Sequence, residues 1–402
     1  MLRLFTTLVF TLLIAAFSTG HAWSGTPLCT TLTFEESMLA APIQKIECST
    51  DGSVLWGAHI TQIKRSVDYG ANWTVVKTFS RGVLNFRSLF VDSNDNLFIA
   101  HDDMGVLVKG VWAGGDTLTC TDVLTYDCEE CSDANDCSGF WQMAEDSAGN
   151  LFVGEYNGNL VDGDTCAVVW KSTDSGANWS RIRWAQGARH VHFCAVNPAN
   201  DDLYVSVGDA AAQNKLLKST DAGATFTSIY TADCWAQPIG MAFTAAGRIM
   251  GSDCGSGAGH ANGPYRTADD ATFKECYTFA GTEDNFVWML AEDPAGVLVA
   301  GTVGGGHGAD SNDFRLYGSA DDGETWCTLK DFADNDNWKG VEWLSQRSDD
   351  QGYSYYTVTE DDGSGVDTYR YRVVQTPHIR MLRGLYRPRQ HMALGRSRGG
   401  RR

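Results

Sequence analysis

The sequence predicts an all-β protein folded as a seven-bladed β-propeller. Three observations predict it: one Asp- and Gly-bearing turn pattern recurs along the chain, a strand–turn–strand phrase recurs seven times at about fifty-residue spacing, and no long stretch carries the 3.6-residue apolar period of a helix. The composition agrees. With 43 glycines, 13 tryptophans and only 8 prolines in 402 residues, the chain suits many tight turns between short strands.

The turn pattern is Ser-x-Asp-x-Gly-x-x-aromatic. It is complete in Ser66-Val-Asp68-Tyr-Gly70-Ala-Asn-Trp73, Ser172-Thr-Asp174-Ser-Gly176-Ala-Asn-Trp179, Ser219-Thr-Asp221-Ala-Gly223-Ala-Thr-Phe226 and Ser319-Ala-Asp321-Asp-Gly323-Glu-Thr-Trp326. A fifth copy, Thr267-Ala-Asp269-Asp-Ala271-Thr-Phe273, is one residue shorter. An Asp carboxylate accepts backbone N–H bonds inside such a turn, and glycine permits a positive φ. The aromatic then opens the next strand. This turn is similar to the Asp box (BNR repeat).

The phrase begins near Lys45, Arg87, Gln142, His192, Ile239, Trp288 and Glu342. The second unit, around Phe90 to Ile99, and the seventh carry the phrase without the box. Seven units over residues 23–375 average about fifty residues, the size of one four-stranded blade. Six blades is the competing count. The seventh unit lacks a strand after Thr368 to Val374, and Leu28 to Phe34 is expected to supply it and close the ring.

Before the ring, Met1-Leu2-Arg3 and an apolar run from Leu4 to Phe17 read as an export signal, with cleavage expected after Ala22. The mature chain is expected to be secreted or periplasmic, with no membrane span. All 12 cysteines follow the leader, which allows up to six disulfides, and Cys128-Glu-Glu-Cys131 reads as a loop staple near Cys120 and Cys137. Of the 31 basic residues, eight lie in the arginine-rich segment 376–402 and one is Arg3, so the body sets 22 against all 50 acids, a net of −28. Such a body excludes nucleic acid as a general partner. Residues 376–402 read as a flexible tail.

By register, the boxes mark one face of the ring, and the second-to-third loops and blade connections the other. On that second face fall His59, His101, Glu155, Val207 with Asp209, Asp253, Thr302 and Thr359 at second-strand ends. Lys45, Arg87, Gln142, His190, His192, Gln237, Trp288 and Lys339 fall at first-strand starts. His260 and His307 map there too, as do Trp141, Trp235, Trp338 and Trp343. The densest group is Glu155, Tyr156, His190, His192, Asp209 and Asp253. His192 could act as a base with Tyr156 as acid and a carboxylate orienting it. His190, His192 and an aspartate could instead hold a divalent cation. Aromatic rings at the mouth suit a sugar face, so a glycan or cell-surface ligand is the expected partner. The sequons Asn72-Trp-Thr74 and Asn178-Trp-Ser180 lie inside boxes and read as by-products of the turn.

The whole mature chain resembles the Asp-box propeller superfamily, which contains sialidases, photosystem II assembly factors, ulvan lyases, xyloglucan-cleaving glycosidases and sorting receptors. The resemblance implies architecture more than activity. Sialidases carry an Arg-Ile-Pro motif and an arginine triad. Here the nearest segment is Asn85-Phe86-Arg87-Ser88-Leu89, and Arg65, Arg266 and Arg315 lead into boxes. The His192/Tyr156 pair resembles the acid–base pair of a lyase. The expectation is a binding or scaffold protein, with a polysaccharide-active enzyme as the alternative.

Overall fold

The structure is a computed structural model that describes residues 29, 31–80, 86–101, 105–125, 137–157, 166–186, 190–208, 214–231, 238–252, 263–276, 286–303, 314–332, 338–360 and 365–375. Every regular element among them is a strand, and there are 28. In the first sheet Lys45–Cys48, Leu55–His59, Gln62–Ser66 and Thr74–Thr78 pair in chain order, all antiparallel. The same four-strand meander repeats five times, over residues 86–125, 137–186, 190–231, 238–275 and 286–331, and a seventh sheet has three strands of its own within residues 338–375. The sixth and seventh sheets are joined by one bridging pair, Val303 with Gly340. The first strand of each sheet packs on the first strand of the next, and the seventh on the first. This cyclic order of four-stranded antiparallel sheets is a β-propeller.

Apolar side chains fill the space between successive sheets. Trp56, Ala58 and Ile63 of the first sheet meet Leu89, Leu97 and Ile99 of the second. Phe98 and Leu107 of the second meet Leu151 and Val153 of the third. A buried side chain of this kind contributes about 1.5–3 kcal/mol.

The seventh sheet takes its outer strand from the other end of the chain. Leu32–Met38 pairs antiparallel with Val366–Gln375, from Leu32 opposite Gln375 to Met38 opposite Tyr369. The expected closure is present, but its strand lies further along than Leu28 to Phe34. The segment also grips both neighbouring sheets. Cys29 is disulfide-bonded to Cys327 of the sixth sheet. Glu36 accepts hydrogen bonds from Lys330 Nζ of the sixth sheet (2.5 Å) and Tyr356 Oη of the seventh (2.5 Å). Leu39 lies against Gly70 of the first sheet.

The other cysteines correct the expectation of up to six bridges. Cys48 and Cys194 are free and buried in separate core clusters, and Cys120 and Cys276 are free as well. The Cys128/Cys131 staple lies outside the described residues.

The boxes join third to fourth strands, as the register requires. In the third sheet Ser172 Oγ donates to Asp174 Oδ1 (2.8 Å) and accepts from the Gly176 N–H (2.8 Å). Asp174 accepts from the backbone and side-chain N–H of Asn178 at 2.8 and 2.7 Å. Gly176 has φ +77°, and a Cβ there would fall 2.3 Å from Phe98 of the second sheet, so only glycine lets the turn sit on its neighbour. Lys109 of the second sheet donates to Ser175 O (2.6 Å), and Lys171 of the third to Ala222 O of the fourth (2.9 Å). Turns between first and second strands bond in the same direction: Thr50 to Asp95, Ser93 to Glu145, Ser147 to Asp201 and Gln346 to Glu47. The box face is thus a girdle of bonds from each sheet to the next.

Candidate functional site

The other face is shaped by β-bulges in the first strands. In the second sheet Phe86 pairs with His101 and Ser88 with Ala100, leaving Arg87 extra. A corresponding irregularity sets Trp141 and Gln142 together against Gly154 in the third sheet, and others leave His192 extra in the fourth, Ile239 in the fifth, Trp288 in the sixth and Lys339 in the seventh. A bulge bends its strand and re-aims the extra side chain. The side chains of Trp141, Gln142 and Trp288 reach across the ring. Gln142 Nε2 donates to Ile239 O at 2.9 Å, and the Trp141 and Trp288 rings are 6.2 Å apart.

Around Trp141 lies a cluster drawn from four sheets. Tyr156 meets Trp141 edge-on at 4.5 Å and stacks on His190 at 3.9 Å. His192 is 4.6 Å from His190, and the Arg87 guanidinium carbon is 5.4 Å from the Tyr156 ring centroid. His190 and His192, predicted to share one side of their strand, do so. Both have 0% exposure, whereas Arg87, Gln142, Tyr156 and Trp288 keep partial exposure. His192 Nε2 bonds to Gly208 O at 3.1 Å. The indole N–H of Trp288 has no acceptor among the described residues.

Glu155 is fully buried and accepts from Trp170 Nε1 at 2.6 Å within its own sheet, a partner the sequence did not suggest. His59 ends a strand of the first sheet. Burial, reinforced by the nearby Lys64 charge, lowers its pKa to about 4, so the ring is neutral at neutral pH. Asp209, Gln237, Asp253, His260 and His307 lie outside the described residues, as does the side chain of His101. Among the described residues no three His, Cys, Asp or Glu side chains are grouped to hold a metal ion. No described helix is long and apolar enough to cross a membrane.

No family model matches the sequence, and no curated protein does. Solved structures do match. The GH74 xyloglucanase from Xanthomonas campestris aligns with TM-score 0.57 at 17% identity, over 83% of this chain and 53% of that one. The extracellular domain of the putative hybrid two component system BT4673 from B. thetaiotaomicron aligns with TM-score 0.55 at 12% identity, over 84% of this chain and 39% of that one. YCF48 bound to D1 peptide aligns with TM-score 0.55 at 12% identity, over 86% and 99%. This chain therefore spans about half of the xyloglucanase and less of the BT4673 domain. At such identities the likeness is one of fold, and the fold is the β-propeller.

Proposed function

We propose that this chain is an exported Asp-box propeller of seven blades, residues 23–375, preceded by a leader of residues 1–22 and followed by a flexible arginine-rich tail. In this reading it binds an extracellular glycan at the mouth carrying Arg87, Trp141, Gln142, Tyr156 and Trp288, and acts as a binding or scaffold protein. The observation that carries the reading is the aromatic and cationic group gathered from four sheets, with an indole N–H at Trp288 that has no acceptor among the described residues. Flat rings with a polar edge suit sugars. Burial favours binding over catalysis, because His190, His192 and Glu155 have no exposed surface with which to reach a substrate. The two imidazoles support the Tyr156 and Trp141 rings in front of them.

The test is a glycan array probed with the wild-type chain and with Tyr156→Ala. Retention of a glycan by the first and its loss in the second supports the reading, and retention of none by either rejects it.

One observation favours a polysaccharide lyase or glycosidase instead: two imidazoles 4.6 Å apart beside a tyrosine. New reducing ends or unsaturated-uronate absorbance from a polysaccharide panel, abolished by His192→Ala, would establish it. A sialidase reading finds no Arg-Ile-Pro motif in the nearest segment, Asn85-Phe86-Arg87-Ser88-Leu89.

A further inference from the structure

Eight non-glycine residues have a positive φ among the described residues, and seven of them lie in turns of the box face. Several of those seven do repeated work there: Ser175 and Ala222 offer carbonyls to lysines of the preceding sheet, and Asp95, Asp201 and Asp270 accept bonds between sheets. The eighth, Ile60, lies on the opposite face. It follows His59 in the two-residue hairpin between Leu55–His59 and Gln62–Ser66, where His59 pairs with Gln62. Its φ is +53°. The first central position of such a hairpin is ordinarily glycine, asparagine or aspartate, and a β-branched residue with positive φ is an outlier.

Packing does not repay the strain. Ile60 is 44% exposed and belongs to none of the apolar clusters of the core. The turn is nevertheless fixed, since the buried Gln44 accepts the Ile60 N–H through Oε1 at 2.8 Å. A strained backbone that holds an aliphatic side chain out to solvent is explained when the side chain has work to do there.

We propose that Ile60 is a ligand contact on the mouth face, seating a methyl group carried by the glycan, either that of a 6-deoxy sugar or that of an acetyl substituent. The inference rests on the glycan-binding reading above. An aliphatic knob has no flat face for stacking and no polar atom to offer, so an apolar substituent is what it recognises.

The experiment compares wild type with Ile60→Asn, which tolerates the turn, and Ile60→Val, which keeps the strain and shortens the side chain. Each is measured by thermal unfolding and by affinity for 6-deoxy, acetylated and unsubstituted versions of one oligosaccharide. Ile60→Asn is expected to raise the unfolding temperature while weakening the methyl-bearing ligand about tenfold. Affinity for the unsubstituted ligand stays the same, and Ile60→Val binds in between. Whichever methylated ligand shows the loss identifies the source of the methyl. The proposal is overturned, with the glycan reading intact, if wild type binds all versions equally or Ile60→Asn binds as wild type does. It is also overturned if Ile60→Asn fails to raise the unfolding temperature. If wild type retains no glycan at all, or captures only a protein, the glycan reading fails and takes this proposal with it.

Discussion

Tyr156 lies flat against His190, with ring centroids 3.9 Å apart and planes 24° from parallel. The two side chains come from neighbouring sheets, so this contact couples the floor of the mouth to the packing of the ring. His190→Ala removes the support from behind, and a cavity of that size costs about 2–4 kcal/mol. Tyr156→Phe keeps the stack. Denaturant unfolding should show the first loss and near-wild-type stability for the second, and glycan retention should follow the same order.

Acid should loosen the box turns. Hydrogen bonds from Asn178, first its side chain and then its backbone, lower the Asp174 pKa from 3.8 to about 2, and Thr225 does the same for Asp221. A carboxyl lowered in the folded chain contributes stability that is fully present above about pH 3.8 and lost as pH falls through about 2. Asp174→Asn removes that contribution at every pH. Its unfolding temperature should lie below wild type at pH 7, with the gap closing towards pH 2.

Asn72 and Asn178 occupy the place that Thr225 and Thr325 fill in other boxes, and all four side chains donate to the second oxygen of the box carboxylate. Asn72→Thr should therefore leave stability unchanged while erasing the sequon. Asn72→Ala should lower the unfolding temperature. If mass spectrometry of the chain expressed in a glycosylating host found a glycan on Asn72, the side chain would have exchanged that bond for a sugar.

The Cys29–Cys327 bond closes a sequence separation of 298 residues. Cys29→Ser should cost about 2–4 kcal/mol in unfolding experiments, less than loop length alone suggests, because Leu32–Met38 remains paired. Hydrogen exchange should quicken first in that strand and leave the fourth sheet as protected as before.

Glu47 is buried where the seventh sheet meets the first. Burial pushes its pKa up from 4.5 to about 8, opposed by the Gln346 N–H and the Arg347 charge. The folded chain therefore holds this proton more tightly than the unfolded chain does. The associated stability is full below about pH 4.5 and lost as pH rises through about 8. Glu47→Gln should flatten that slope, read as unfolding temperature at pH 5 and pH 8.5.

The architecture was legible because repeats announce themselves. Ser172, Asp174, Gly176 and Trp179 recur with fixed spacing, and each turn needs those residue types for reasons internal to the turn. The mouth was legible only in part. Alternation placed His190 with His192, and register placed Arg87, Gln142 and Trp288 at the starts of their strands. The bulges that aim these side chains inward depend on a mismatch between two strands, which neither strand carries alone. The bond from Trp170 Nε1 to Glu155 was hidden for the same kind of reason, because it joins two adjacent strands whose pairing neither carries alone. Cysteine count also misled, since Cys48 and Cys194 serve as small apolar fillers in the core.

Leu32–Met38 and Val366–Gln375 are separated in the chain by the strands of six sheets, yet they lie side by side. The seventh sheet cannot be finished until both strands have been made. Deletions that remove either strand strip the same sheet, so two series of nested truncations, advancing from opposite directions, should converge on one phenotype.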